Sequence, residues 1–333
     1  MAGPDPAVAA VRVAVRRALR RHLPRPPGRV LVAVSGGADS LALAAATAFV
    51  APREGGSAAG VVVDHGLQED SAVVAARAAE QARALGLAPV DVVPVTVHPG
   101  PDGPEADARA ARLTALAGAA ERLGASAVLL GHTRDDQAEQ VLLGLVRGSG
   151  TRSLSGMPPA RPVRDGGPLL LRPLLGTPRE VTRAACRALG VEPWEDPHNR
   201  DRRYTRVRVR EALADLERDL GPGVTAALAR TAELLRDDEE VLRAATEAAR
   251  EQLGRPPWSA DALAGLPAAV RRRLWHAAAL EAGSPGAQLG AVHLAAVDAL
   301  VTDWHGQGPV DLPGGVRAGR DRGRVWLGTA PPS

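Results

Sequence analysis

Through its first half the chain alternates short, unbroken apolar runs with longer segments whose apolar positions recur every three or four residues. Residues 30–34, 61–63, 90–95 and 127–130 are Val-, Leu- and Ala-rich runs that predict strands, and 41–50, 71–85 and 105–123 are long enough for crossover helices. Strands apolar at every position are buried on both faces, so this alternation predicts a doubly wound parallel α/β sheet. Ligands of such sheets bind beyond the carboxyl ends of the strands.

Ahead of the first strand, Val8, Val11, Val15 and Leu19 keep helical spacing while Arg12, Arg16 and Arg20 take another face, which predicts a packed amphipathic helix rather than a leader sequence. A Pro/Gly/Arg-rich stretch at 150–167 breaks the alternation. A strand at 169–171, a helix at 178–189 and a polar, charged stretch at 195–210 follow. The rest reads as long helices (225–253, 268–282, 287–301) closed by a small β-hairpin from 310–312 and 325–327. The GPG at 221–223 is the expected boundary between a catalytic domain, 1–220, and a smaller, mostly helical domain, 221–333.

Composition narrows the class. The chain has 333 residues, 45% apolar and 24% charged, a soluble balance with no run long enough to span a membrane, so no membrane partner is expected. One cysteine, Cys186, permits neither an internal disulfide nor a thiolate metal cluster, in keeping with a reducing, cytoplasmic setting. The pI of about 10.1 accompanies a net charge of only +3 in a chain without lysine, so overall charge says little about nucleic acid. Local clustering says more. Six arginines fall between Arg200 and Arg210 against the single acid Asp201, around the chain's one tyrosine, Tyr204, a pattern suited to an RNA backbone and base.

The chemistry begins where the first strand ends. In VAVSGGADSLALA, residues 32–44, a strand hands over to a helix through Ser35, Gly36, Gly37, Ala38, Asp39 and Ser40. Free N–H groups and the positive helix end make such a turn an anion cradle, glycines allow close backbone approach, and the serines add hydroxyl donors. A glycine turn with Asp39 or Ser40 capping a helix accounts for the same residues. A Walker loop is excluded, since it requires a lysine. Later, GHTRDDQAEQVLLGLVRGSG (131–150) puts His132 at a strand end, offers Thr133 and Asp136 as a capping box, sets Asp136 and Glu139 on one helix face, and ends in Arg147 and a glycine turn.

The SGGxDS turn resembles the signature of the PP-loop ATP pyrophosphatases. With DHGL (64–67), PEAxARxAR (104–112), HTRDDQAEQ, RGSG and DPHNRDxxYTR (196–206) in this order, the chain resembles the tRNA(Ile)-lysidine synthetases. The resemblance implies that ATP adenylates the C2 oxygen of the wobble cytidine in isoleucine tRNA with a CAU anticodon, and that free L-lysine then displaces AMP. It also implies ATP contacts from Ser35 to Ser40 with Asp64, His65 and His132, Mg²⁺ at Asp39, lysine at Asp136 and Glu139, and phosphate chemistry at Arg147. tRNA contacts are implied for Arg109, Arg112, Arg203, Tyr204, Arg206, Arg208 and Arg210. A homodimer is left open. The family pattern DxSNxDxxYxRNxxR is broken twice, by His198 and Val207. A related thiolase would need more than one cysteine, which argues against sulfur transfer. A nucleotide- or RNA-binding protein that has lost the reaction remains an alternative.

Overall fold

The computed structural model describes residues 3–64, 66, 70–97, 104–148, 150–164, 166–196, 201–286 and 288–329. In chain order the elements of the first part are α1 (Pro6–His22), β1 (Arg29–Ala33), α2 (Ala38–Arg53), β2 (Ser57–Asp64), α3 (Ser71–Ala84), β3 (Val90–Pro94), α4 (Pro104–Arg122) and β4 (Ala125–Leu129). There follow α5 (Arg134–Val146), α6 (Thr151–Leu154), β5 (Ala160–Pro162), β6 (Leu169–Leu171), α7 (Arg179–Ala188) and α8 (Thr205–Leu220). The long α9 (Val224–Leu253) leads to β7 (Trp258–Ser259), α10 (Ala260–Ala264), α11 (Ala268–Glu281), α12 (Ala291–Thr302), β8 (Val310–Leu312), β9 (Val316–Asp321) and β10 (Arg324–Gly328). Two compact units divide between Arg236 and Asp237, inside α9 and past the GPG turn; Gly221 ends α8 instead, with φ +90°.

In the first unit the strand order is β3-β2-β1-β4-β6-β5, parallel except for β5. Both faces are covered, as the apolar runs predict. Val30, Val32 and Val34 pack with α1, α2, α3 and α7, while Leu31 and Ala33 pack with α4. Val8, Val11, Val15 and Leu19 of α1 are all in that core. The chain reverses its direction of travel across the sheet at β1, between β2 and β4, so the carboxyl ends of β1 and β4 frame the crevice where doubly wound sheets bind ligands.

The second unit packs α11 and α12 with a four-stranded antiparallel sheet of order β7-β10-β9-β8. The hairpin partner of β10 is β9, and the run at 310–312 pairs with β9 on its other edge. β9 carries three charges and a glycine, which hides it from apolar patterning. Gly319 is required because the Trp326 ring lies over it, and a Cβ there would sit 2.6 Å from the ring. At the centre of the unit Trp275 is fully buried with its ring 5.6 Å from that of Trp258, and its Nε1 donates to Asp298 Oδ1 at 3.0 Å. Arg271 donates to both oxygens of Asp298, at 2.8 and 3.0 Å. No helix among the described residues is long and apolar enough to cross a membrane.

Asp298→Ala strands a buried guanidinium and an indole N–H together. Denaturant unfolding of this variant is expected to show a loss of about 3–5 kcal/mol; a loss under about 1 kcal/mol would mean that the pair is solvated.

Candidate active site

After β1 the backbone turns through Ser35, Gly36 and Gly37, and α2 starts at Ala38 with Gly37 as its cap. Ser40 closes the turn on itself: its hydroxyl donates to the Gly37 carbonyl at 2.9 Å and accepts from the Ser35 N–H at 3.1 Å. Ser40 is 6% exposed, so its hydroxyl shapes the loop rather than standing free as a donor. Gly36 has φ +82°, a conformation suited to glycine, and its carbonyl accepts from the Trp194 N–H at 2.9 Å. Across the crevice, a Cβ on Gly131 would come within 3.0 Å of the Asp39 and Ser40 backbone. The end of β4 is thus pressed against the first turn of α2, whose N–H groups lack partners within the helix.

A cleft of about 930 Å³ opens here, lined by the loop, by Arg112, His132, Asp136 and Glu139, and by residues of α7 and α8. Asp136 is the N3 residue of α5 and forms the expected capping box, its Oδ2 accepting from the Thr133 N–H at 2.7 Å and hydroxyl at 2.9 Å. One turn on, Glu139 faces the same way with only 6% of its side chain exposed. Arg179, the first residue of α7, joins the two acids to the loop. Its guanidinium lies 2.6 Å from Asp136 Oδ1, 3.2 Å from Glu139 Oε1 and 3.6 Å from Asp39 Oδ2, and its backbone N–H donates to Asp135 at 2.8 Å. Arg210 of α8 adds a second cation to Glu139 at 3.0 Å, and the Thr182 hydroxyl donates to Asp39.

Burial raises the Asp39 carboxyl above its ordinary range, against the pull of Thr182 and Arg179. Burial acts the same way on Asp136, but Arg179 and the Thr133 hydrogen bonds outweigh it and hold that carboxyl below its usual value. The three acids hold the Arg179 guanidinium charged despite its burial. On the opposite wall the field is positive. His132 is pushed down to about 3 by burial and by Arg172, Arg112 and Arg206, against the attraction of Asp136, and its Nδ1 has no hydrogen-bond partner among the described residues. Burial also lowers Arg109 and Arg112, each reinforced by Arg206, and Arg172 falls to about 10 through burial, Arg161 and Arg109.

Of the residues singled out in the sequence, Ser35, Gly37, Ala38, Asp39, Ser40, Arg112, His132, Asp136, Glu139, Tyr204, Arg206 and Arg210 line this one cleft. Asp64 lines a neighbouring cavity of about 260 Å³ with Ser35, Arg112 and Trp194, and accepts from the Gly66 N–H at 3.0 Å. Arg109 does not line the cleft but feels the charge of Arg206, which does. Arg203 is paired with Asp201 at 2.6 Å, and Arg208 donates to the Arg202 and Arg203 carbonyls, so both brace the approach to α8. Arg147 caps the far end of α5, exposed and away from the cleft lining. Val207 is buried against the cleft and offers it no polar group. His65 and His198 lie outside the described residues. Sequence reasoning missed Arg179, Thr182, Trp194, Arg161 and Arg172; the one local signal for Arg179 is its place behind a proline at a helix start. It also read 195–210 as an irregular charged stretch, whereas α8 begins at Thr205 and mounts Arg206 and Arg210 on a helix.

Residues 11–217 match the PP-loop domain family, and residues 259–326 match the TilS substrate binding domain. The chain is 57% identical over 328 residues to the tRNA(Ile)-lysidine synthase of Thermobifida fusca, covering 98% of each chain. It is 51% identical over 354 residues to that of Streptomyces coelicolor, covering 98% of this chain and 99% of the other. The chain belongs to the tRNA(Ile)-lysidine synthases. Among solved structures, the U34-tRNA thiolase NcsA of Methanococcus maripaludis shares the fold, with a TM-score of 0.56, 19% identity and coverage of 69% of this chain and 80% of that one. That structure carries a [4Fe-4S] cluster, whereas this lysidine synthase family member has one cysteine, Cys186, buried under the loop with its thiol raised to about 11, chiefly by burial.

The depressed His132 keeps a neutral ring through the physiological range. Its ring-proton NMR shift is expected to stay flat from about pH 8 to 5; an inflection near 6.5, the ordinary value of an imidazole, would contradict this environment. Because only the unfolded chain then takes up this proton, the His132 contribution makes stability fall as pH drops below about 6.5.

Proposed function

We propose that the chain is an ATP-dependent ligase that converts the wobble cytidine of CAU-anticodon isoleucine tRNA into lysidine. The observation that carries the reading is that one cleft joins the SGGADS loop, through Arg179, to the Asp136–Glu139 acid pair. In the first step the cytidine C2 oxygen attacks the α-phosphorus of ATP, and the bond to the β-phosphate breaks to release pyrophosphate. In the second the amino group of lysine attacks C2, the C2–O bond breaks, and AMP leaves.

The loop from Ser35 to Ser40 and the start of α2 bind the pyrophosphate portion through backbone N–H groups and the helix dipole. Gly131 and Gly36 keep that backbone close to its neighbours. Asp39 suits Mg²⁺: it is a single half-buried oxygen donor at the cleft, and no cluster of three or more ligating side chains exists among the described residues. Magnesium is commonly held by one or two carboxylates with phosphates completing its shell. When bound it would supply charge neutralisation at the departing pyrophosphate. Asp136 and Glu139 hold the lysine ammonium and accept the proton that its amine sheds. His132, neutral and lacking a partner at Nδ1 among the described residues, adds a polar contact to the nucleotide at the end of β4.

Arg109, Arg112 and Arg206 lie close enough to act on one another as like charges, a basic cluster that suits an RNA backbone, while Tyr204, 37% exposed, offers a ring to a base. Arg203 and Arg208 serve by shaping this approach and Arg210 by steadying Glu139, while Arg147, at the far end of α5, is assigned no contact in the cleft. The valine at 207 in place of the family asparagine offers the cleft one hydrogen-bonding group fewer, while Arg206 and Arg210 keep the arginines of the pattern. These substrates place the reaction in the cytoplasm.

Labelled L-lysine supplied with Mg-ATP is expected to enter CAU-anticodon isoleucine tRNA and not methionine tRNA, with one AMP released per lysine. Asp39→Asn and Glu139→Gln should each lower the rate by about a hundredfold or more. AMP release with tRNA but without lysine incorporation would overturn the assignment while sparing the ATP chemistry.

A further inference from the structure

The acid pair assigned to lysine already holds resident donors and cations. Asp136 Oδ2 is taken by the Thr133 N–H and hydroxyl, and its Oδ1 lies 2.6 Å from the Arg179 guanidinium. Glu139 Oε1 receives Arg179 at 3.2 Å and Arg210 at 3.0 Å. Arg179 is 14% exposed on its side chain and anchored by its backbone N–H on Asp135. Its side chain spans the gap from this pair to Asp39, 3.6 Å from its Nε.

An ammonium drawn to Asp136 Oδ1 and Glu139 Oε1 wants the positions that the two terminal nitrogens of Arg179 hold. Two unit cations about 4 Å apart in a partly buried site repel strongly enough to change affinity by orders of magnitude. The carboxylates of Asp39, Asp135, Asp136 and Glu139 outnumber the guanidiniums of Arg179 and Arg210, so the cluster keeps excess negative charge for one ammonium provided that a guanidinium yields its place. Arg210 touches only Glu139 among these acids and is more exposed, so the contested positions are those of Arg179.

Resting on the lysine assignment above, we infer that Arg179 is a resident counter-ion that the substrate amine replaces: it holds Asp136 and Glu139 until lysine arrives, then gives up both and keeps Asp39. This makes Arg179 a positioning residue with an unusual signature. It favours the ionised form of Asp136 and holds both acids in place, yet it competes with the substrate it prepares for. It also links the lysine site to the ATP loop, because the group displaced from one remains paired to the other.

Equilibrium dialysis with radiolabelled L-lysine tests this on the full chain. Arg179→Gln is expected to tighten lysine binding by about tenfold or more, a direction that local loosening does not produce. Arg179→Lys, which keeps the charge, should stay within about threefold of the parent. Glu139→Gln should weaken binding in both the parent and the Arg179→Gln background. Unchanged or weaker binding in Arg179→Gln, with Glu139→Gln still harmful, overturns the displacement and leaves the lysine assignment standing. Indifference of lysine binding to Glu139→Gln removes the assignment and the displacement with it. A second readout needs no variant. The Arg179 Nε–H resonance of the parent should shift on saturation with L-lysine and not with L-norleucine, and a resonance unmoved by lysine overturns the proposal.

Discussion

One guanidinium shared among three carboxylates organises the catalytic unit. Asp39 belongs to the first turn of the helix after β1, Asp136 and Glu139 to the helix after β4, and Arg179 to the helix after β6, so three separate crossovers meet at a single ion cluster. Like charges gathered beyond the strand ends are costly unless a cation is held among them, and a buried cation is costly unless acids surround it. Each group is tolerable there only because the others are present. The same cluster keeps an excess of negative charge, a condition for attracting an amine.

The fold supplies this meeting point through its strand order. With β1 between β2 and β4, the loop after β1 and the cap of α5 face each other across the switch point, and Gly131 lets the two backbones close to contact distance. The acids at the start of α5 serve twice. Asp135 caps the neighbouring α7 through the Arg179 N–H, and Asp136 caps its own helix while presenting its other oxygen to the cleft. The capping box expected of Asp136 is formed, and the same carboxylate lines the cleft with its other oxygen. The opposite wall, with neutral His132 among Arg112, Arg172 and Arg206, carries the complementary sign. The cleft is thereby polarised from an acid side suited to an amine to a basic side suited to phosphate.

Much of this was readable from the chain because the relevant chemistry is local. The SGGADS turn, the His132 strand end and the Asp136–Glu139 spacing each lie within a few residues, and the unbroken apolar runs gave a doubly wound sheet without reference to tertiary contacts. What escaped detection depends on distance in space. Arg179 lies 140 residues beyond Asp39 and is one arginine in a chain that has 41; nothing in TPRE distinguishes it until three acids converge on it. Ser40 reads as a donor for a ligand, yet its hydroxyl turns back into the loop, a choice set by the tightness of the turn. β9 is invisible to apolar patterning because Trp326 from the adjacent strand covers Gly319. The density of arginines over 200–210 suggested an irregular segment, when the first turn of α8 already begins inside it.

The claim that Arg179 couples the ATP loop to the acid pair is tested most directly by a double-mutant cycle on unfolding free energy with Asp39→Asn and Glu139→Gln. In the parent background the two effects should depart from additivity by about 1 kcal/mol or more, and in an Arg179→Gln background they should add. Additivity within about 0.5 kcal/mol in both backgrounds would mean that the two acids do not share a counter-ion, and that the loop and the acid pair are neighbours without being coupled.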